Sequence, residues 1–116
     1  GKYRGGLGVN LEFTMLEDSY ATTVCERTLL PPWGLNGGKE GLANNCYVIE
    51  DNEKVLEKPK ATRVHVKKGN RVLIQCGGGG GYGNPAERNP DKVLDDYKQE
   101  YISKKYINKF HPEVKI

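Results

Sequence analysis

Apolar and polar residues alternate in several short segments of the first two thirds of the chain, which is the period-two pattern of half-buried strands. In residues 9–15 the odd positions are apolar and the even positions are polar. Residues 20–27 are rich in β-branched side chains and are predicted to pair with this first strand as a hairpin. Four more short strands are predicted, at residues 46–50, 54–56, 61–66 and 71–76. The intervening turns, 51–53 and 67–70, predict two further hairpins.

Residues 28–45 break this pattern with two prolines and four glycines, which predicts a long, shaped loop. After Gly83 the apolar period changes to about 3.6 residues, typical of helices. Asn89 followed by Pro90 is a good helix start, with Val93, Leu94 and Tyr97 as the apolar stripe. Ser103 is a second N-cap, for a short helix through Phe110 that buries the apolar residues Ile102, Tyr106, Ile107 and Phe110.

The predicted fold class is therefore mainly β (α+β), with about six short antiparallel strands forming a barrel-like or sandwich module and a C-terminal helical hairpin. Residues 1–83 make the β-rich module, which contains the loop 28–45 and the glycine run 77–83, and residues 84–116 make the helical tail packed on it. The chain begins Gly1-Lys2 without an initiator methionine. We expect one structural domain cut from a longer subunit.

Composition narrows the function classes. The 18 basic and 15 acidic residues are interspersed, which argues against a nucleic-acid surface. Three cysteines, far apart in the sequence, make a disulfide framework unlikely and fit a reducing compartment. No segment reaches the roughly 18 apolar residues of a membrane span. We expect a cytoplasmic protein without membrane or nucleic-acid partners.

The run Gly77-Gly78-Gly79-Gly80-Gly81-Tyr82-Gly83 lies between a strand and a helix, the setting in which glycine loops bind phosphate. A P-loop would end in Gly-Lys-Ser/Thr, whereas this run ends in Gly83-Asn84-Pro85, and a dinucleotide site needs a parallel βαβ unit. A flexible tether fits poorly with a terminal Tyr82 and Pro85. Close packing against a partner surface is favoured, so bulky residues at Gly79 or Gly80 are expected to impair assembly while the chain stays folded.

Individual side chains suggest binding rather than catalysis. Arg4 and Arg27 could hold a phosphate, although salt bridges are the more common role of such residues. Trp33 could line a substrate tunnel, and a buried aromatic anchor in the shaped loop is favoured. The binding or interface candidates are Arg4, Arg27, Trp33, Gly78, Gly79, Gly80, Gly81 and Tyr82.

Catalytic and metal-binding residues are not predicted. The three cysteines, Cys25, Cys46 and Cys76, and His65 lack the short spacing of zinc sites, and nothing visible activates a Cys/His nucleophile pair. Cys76 shares a strand face with Val72 and Ile74 and is expected in the core, whereas His65 is expected in solvent.

Four stretches in order resemble the hydantoinase B/5-oxoprolinase family, which includes N-methylhydantoinase B and subunits of ATP-dependent ketone carboxylases. They are Lys2 to Val9, Pro31-Pro32-Trp33-Gly34-Leu35 with Gly37-Gly38, Gly78 to Pro85 with Glu87 to Pro90, and Tyr101-Ile102-Ser103. The chain resembles only the C-terminal region of a much longer subunit. It departs from the common family pattern at Gln75-Cys76, where a Thr-Pro pair often precedes the glycines.

The resemblance implies a heteromeric enzyme that hydrolyses cyclic amides. A separate A-type subunit would use ATP and Mg²⁺, so this chain would bind no cofactor, would contribute assembly and site shaping, and would be inactive in isolation. Its partners would be the rest of the B-type subunit and the A-type subunit. The equivalent part of a ketone carboxylase and a non-catalytic interaction module remain alternatives.

Overall fold

The computed structural model describes residues 1–116, which divide into two compact units. We call Gly8–Pro31 with Leu42–Gly77 the sheet unit, and Gly1–Leu7 with Pro32–Gly41 and Gly78–Ile116 the glycine unit. The unit boundaries lie in or next to the glycine-rich segments, and the division into a β-rich module and a helical tail at residue 83 stays a prediction. The long loop 28–45 therefore contributes to both units.

All six predicted strands form, and all belong to the sheet unit. They are β1 (Val9–Thr14), β2 (Ser19–Val24), β3 (Asn45–Ile49), β4 (Val55–Glu57), β5 (Lys60–Val66) and β6 (Arg71–Cys76). They make a four-stranded sheet of order β1-β6-β3-β4 and a two-stranded sheet of β2 and β5, and every strand pair is antiparallel. The mainly β fold class is confirmed in its sandwich form, because the larger sheet is open rather than closed into a barrel.

One of the three predicted hairpins is correct. β3 and β4 pair across the turn 51–53, as expected. The other two hairpins are wrong, because β1 pairs with β6 and β2 pairs with β5. Between β5 and β6 the chain turns at Gly69, whose φ of 86° suits glycine, and passes from one sheet to the other. A turn that changes sheets carries the same local residues as a hairpin turn, so the turn signal alone does not identify the partner strand.

The apolar residues of the larger sheet share one face. Val9 lies opposite Cys76, Leu11 opposite Ile74 and Phe13 opposite Val72, and directly opposed residues point to the same side of an antiparallel pair. Further along this face, the buried residues Cys46, Val48 and Val72 pack with Val66 of the smaller sheet to form the core. Two strands thus cover the face of a four-stranded sheet.

The part of this face on β1 is left uncovered. Val9, Leu11 and Phe13 are 62%, 48% and 45% exposed, so the predicted half-buried first strand forms without burying its apolar side. Cys76, expected in the core from its position beside Ile74, is also exposed. These residues stay exposed because the second sheet has only two strands. The alternation within one strand does not reveal how wide the opposing sheet is.

The tail contains a 3-10 turn (Pro85–Glu87) and two helices, α1 (Pro90–Lys98) and α2 (Lys104–Phe110). Both predicted caps are confirmed: the side chain of Asn89 accepts from the amide of Asp91, and Ser103 Oγ accepts from the amide of Tyr106. The helices are far too short to span a membrane, and no other helix in the chain is long enough.

The helices share a small apolar core. Val93, Ile107 and Val114 are its buried residues, and Leu94 and Ile102 pack against them. Tyr97 and Tyr106, which the sequence pattern places on the buried stripes, are each 37% exposed. A tyrosine at the edge of an apolar stripe keeps its hydroxyl in water while its ring is partly covered.

Candidate functional site

The glycine unit brings most of the predicted site residues together: Arg4, Trp33, Gly78 to Gly81 and Tyr82 all lie within it. Arg27 is the exception, because it belongs to the sheet unit. The site is built from three chain segments, residues 1–7, 32–41 and 78–83, whose backbones lie side by side. We call these three segments the glycine layer.

Side chains are excluded from the glycine layer by direct backbone contact. A Cβ atom added at Gly80 would lie 2.0 Å from the carbonyl oxygen of Trp33, far inside any tolerated separation. Three equivalent approaches of 2.0–2.4 Å to a carbonyl oxygen join Gly38 to Gly81, Gly41 to Gly78 and Gly5 to Gly79. Glycine is required here because no other residue lets two backbones come this close.

Hydrogen bonds run from the central run to both flanking segments. The amide of Gly79 donates to the carbonyl of Gly6 at 3.0 Å, and the amide of Gly81 donates to the carbonyl of Lys39 at 2.9 Å. The carbonyl of Gly81 in turn accepts from the amide of Leu35 at 2.9 Å. Because the amides of Gly79 and Gly81 already have partners inside the chain, these two amides are not donors for a phosphate group.

The close packing predicted for the run is therefore found, but its partners lie inside the chain. The expectation that Gly80 contacts an outside surface is corrected, because its neighbour is the Trp33 carbonyl. Gly79 differs, since the nearest atom to its added Cβ is the Gly6 nitrogen at 3.4 Å. The two glycines named together from the sequence are thus not equivalent.

Tyr82 lies one residue before the end of the run and bonds to residues 1–7 through its backbone and to residues 32–41 through its side chain. Its amide donates to the carbonyl of Tyr3 and its carbonyl accepts from the Tyr3 amide, both at 2.9 Å. The two rings lie 6.3 Å apart between centroids, and the Tyr82 hydroxyl accepts from the side-chain amide of Asn36. Tyr82 stays 48% exposed, so its ring is available at the surface of the layer.

Arg4 takes part in a buried ion-pair network. Its guanidinium contacts one carboxylate oxygen of Asp96, and Arg88 donates to the other at 2.8 Å. Arg88 also donates to the carbonyl of Lys2 at 3.2 Å, and the Arg4 guanidinium lies 5.1 Å from the Tyr101 ring centre. Asp96 and Arg88 are buried, so the network ties the first residues of the chain to α1. Of the two roles considered for Arg4, the salt bridge is the one found.

A small cavity of about 60 Å³ adjoins this network. Its lining includes Arg4, Arg88, Asp96 and the buried His111. His111 Nδ1 has no hydrogen-bond partner and lies 4.0 Å from a carboxylate oxygen of Glu113. Burial lowers the pKa of His111, an effect that Glu113 opposes and Arg88 reinforces. His111 is therefore held neutral, and the cavity has room for water rather than for a substrate.

The remaining candidates lie elsewhere or are exposed. Trp33 is 65% exposed, so the predicted buried anchor is wrong, and its backbone carbonyl rather than its ring makes the contact with Gly80. Arg27 adopts a φ of 54°, and its carbonyl accepts from the amide of Asn44 at 3.0 Å. His65 is solvated as expected, with its ring 5.3 Å from that of Tyr20. No group of three or more His, Cys, Asp or Glu side chains is arranged to hold a metal ion.

Sequence reasoning missed Asp96, Arg88 and His111. Asp96 follows Val93 by three residues on α1 and so falls on the predicted apolar stripe of that helix. A carboxylate on the buried side of a helix needs a cation or several donors, which would have directed attention to Arg88 and Arg4. No comparable sequence signal identifies His111.

Known proteins resemble this chain along most of its length. Residues 1–85 match the family model described as hydantoinase B/oxoprolinase. An uncharacterized protein of Methanocaldococcus jannaschii is 42% identical over 89% of the chain. A protein of a Pseudomonas strain, named as the putative B subunit of a D-/L-hydantoinase, is 36% identical over 90%. The chain spans only 18% of the length of either relative.

A solved structure supports the same relationship. The crystal structure of ATP-dependent caprolactamase from Pseudomonas jessenii superimposes with a TM-score of 0.80 at 27% identity, over 93% of this chain and 20% of that one. The match to the family model covers the three segments of the glycine layer and all six strands. The chain belongs to the hydantoinase B/oxoprolinase family.

Proposed function

We propose that this chain is the C-terminal part of a B-type subunit in a cytoplasmic, heteromeric enzyme that hydrolyses cyclic amides with the use of ATP. In this proposal the chain contributes assembly and site shaping. ATP and Mg²⁺ are used by a separate A-type subunit, and the chain itself binds neither. The names of the Pseudomonas hydantoinase relative and of the ATP-dependent caprolactamase support cyclic amides as the substrate class.

The observation that carries the assembly role is the uncovered apolar face of β1. Val9, Leu11 and Phe13 continue the same sheet face that forms the core, yet each is at least 45% exposed. Contiguous exposed apolar surface of this kind marks an interaction site. Other large apolar residues of the sheet unit are still more exposed: Leu16 is 79%, Leu29 is 89% and Leu42 is 76%. The partner we assign to this face is the rest of the B-type subunit.

The glycine layer supports the site-shaping role. Its three segments are held by backbone hydrogen bonds and by contacts that admit no side chain, so its shape is fixed by the backbone. The exposed rings of Tyr3, Trp33 and Tyr82 project from this rigid base. Such a base can hold aromatic side chains in place beside a site built by other parts of the enzyme.

The first test measures hydrolysis of hydantoin and of 5-oxoproline by the purified chain with ATP and Mg²⁺. We expect no turnover, because the chain has neither a metal-ligand cluster nor an activated nucleophile. Turnover by the chain alone would contradict the division of labour. ATP-dependent carboxylation of a ketone by the assembled enzyme, without amide hydrolysis, would replace the proposed reaction with the carboxylase alternative.

The second test measures association of the chain with the remainder of a B-type subunit expressed as a separate polypeptide. Leu11→Glu places a charge on the uncovered face and should weaken association at least about tenfold. Asn10→Glu adds the same charge on the opposite side of the same strand and should leave association unchanged. Equal effects of the two substitutions, including a loss of association by both variants, would contradict assembly through this face.

A further inference from the structure

Two cysteines stand at the base of the long loop that leaves and re-enters the sheet unit. Cys25 follows β2 directly, and Cys46 lies on β3. Between them the two legs of the loop are hydrogen-bonded: the amide of Asn44 donates to the Arg27 carbonyl at 3.0 Å, and the Asn44 side chain donates to the Glu26 carbonyl at 2.9 Å. These bonds close the base of the loop one to two residues away from each cysteine.

A disulfide requires two thiols that lie next to each other, and the surroundings of Cys25 and Cys46 meet this requirement. Cys46 is 1% exposed in the core, and Cys25 packs against the same core cluster. The two thiols are in hydrogen-bond contact, and burial, followed by the neighbouring Cys25, raises the pKa of Cys46. Both cysteines are free thiols in this structure.

Small molecules can reach this pair in the chain before the proposed assembly covers the apolar face of β1. Cys25 and Cys46 both line a cleft of about 410 Å³ between the two sheets, on the side where the apolar face is uncovered. Cys25 is partly exposed, whereas Cys46 is buried beneath it. Cys76 lines the same cleft and is exposed, so its thiol serves as a control for the oxidation of Cys25 and Cys46.

We propose that Cys25 and Cys46 form a dithiol modification site, which a low-molecular-weight disulfide oxidises to an intramolecular disulfide at the base of the loop. This proposal stands on the sheet unit alone and does not depend on the proposed enzymatic role.

The reaction is an ordinary thiol–disulfide exchange. The Cys25 thiolate attacks one sulfur of glutathione disulfide, forms a mixed disulfide and releases one glutathione. Cys46 then loses its proton and attacks the Cys25 sulfur, which releases the second glutathione. Two protein thiols are oxidised, one glutathione disulfide is reduced to two glutathione molecules, and the two protein protons end on those products.

The experiment incubates the native 116-residue chain with glutathione disulfide, alkylates the remaining thiols and maps tryptic peptides without reduction. Cleavage after Lys and Arg places the three cysteines in separate peptides, 5–27, 40–54 and 72–88. We expect a cross-link between the first two peptides. Cys76→Ser should retain it, and Cys25→Ser and Cys46→Ser should each abolish it.

Thermal unfolding provides a second readout. The cross-link removes freedom from the unfolded chain, so the oxidised protein should unfold at least about 10 °C above the reduced protein. A dominant cross-link to Cys76, a stable glutathione adduct at Cys25 that Cys46 never resolves, or an unfolding temperature that does not rise would each overturn the proposal.

Discussion

The two units of this chain achieve close packing in opposite ways. In the glycine unit, three segments meet backbone to backbone, and the carbonyl oxygens occupy the space where side chains would be. In the sheet unit, two sheets meet through ordinary apolar side chains, and part of one face is left without cover. The glycine layer is complete within the chain, whereas the sheet face is incomplete. The effect of a substitution on stability should therefore depend on which of the two kinds of packing surrounds the substituted residue.

The largest effect is expected for Gly80→Ala. Its Cβ would lie 2.0 Å from the Trp33 carbonyl, and backbone cannot yield as a flexible side chain does. We expect a loss of more than about 4 kcal/mol in unfolding free energy, enough to prevent folding. Far-UV circular dichroism with thermal melting measures it.

Gly79→Ala is the matched control for this prediction. The nearest atom to its Cβ is 3.4 Å away, and the variant should remain folded. If Gly80→Ala melted like the unsubstituted chain, the backbone packing described for the glycine layer would be wrong.

The second effect concerns the only buried carboxylate among the charged groups of α1. Asp96→Asn leaves the buried Arg88 without its counterion and should cost about 3 kcal/mol in unfolding free energy. Urea denaturation measures this cost. Asp95→Asn, an exposed change one position earlier on the same helix, should cost less than about 0.5 kcal/mol. Similar midpoints for the two variants would show that the network contributes no stability.

The third effect depends on pH. Burial lowers the pKa of His111 in the folded chain, so below about pH 6.5 the unfolded chain binds a proton that the folded chain does not. Stability should therefore fall as pH drops from 7 to 5.5, with a slope of at most about 1.4 kcal/mol per pH unit for one proton, and be unaffected by this group above pH 7. His111→Phe should remove this part of the pH dependence in urea denaturation. A His111→Phe profile identical to that of the unsubstituted chain would exclude the histidine as its origin.

The smallest effect tests the incomplete face. Leu11→Ala should change unfolding free energy by less than about 0.5 kcal/mol, because Leu11 contacts little in the isolated chain. Val48→Ala, on the same sheet face but 2% exposed, should cost about 2 kcal/mol. Equal costs would mean that the β1 part of the face is covered in solution.

Local structure was predictable from the sequence, and long-range pairing was not. The strand segments and both helix caps follow from alternation, from Asn89 and from Ser103, because those signals act over a few residues. The partner of β1 does not follow, because the turn at residues 16–18 looks the same whether the chain folds back or crosses to another sheet. The β1 pairing depends on β6, some sixty positions away, and no local signal encodes it.

The residues of the candidate site were predictable from the sequence, whereas the contacts between them were not. Arg4 and the glycines were identified as important from residue type and family resemblance. Two contacts depend on which segments of the chain meet: Gly80 packs on Trp33, and Arg4 pairs with Asp96. The identity of a single residue does not reveal which segments meet. Asp96 could have been found, because a buried-side carboxylate on α1 is a local anomaly.

The glycine layer also constrains the order of folding. Its segments begin at residues 1, 32 and 78, so every contact between two segments closes a loop of tens of residues. Contacts of such high sequence separation form slowly and late. On the ribosome, residues 1–7 must wait, unpaired, until Gly83 has been synthesised and has left the exit tunnel. A chaperone that holds this segment would therefore act before the contacts between the segments of the glycine layer can form.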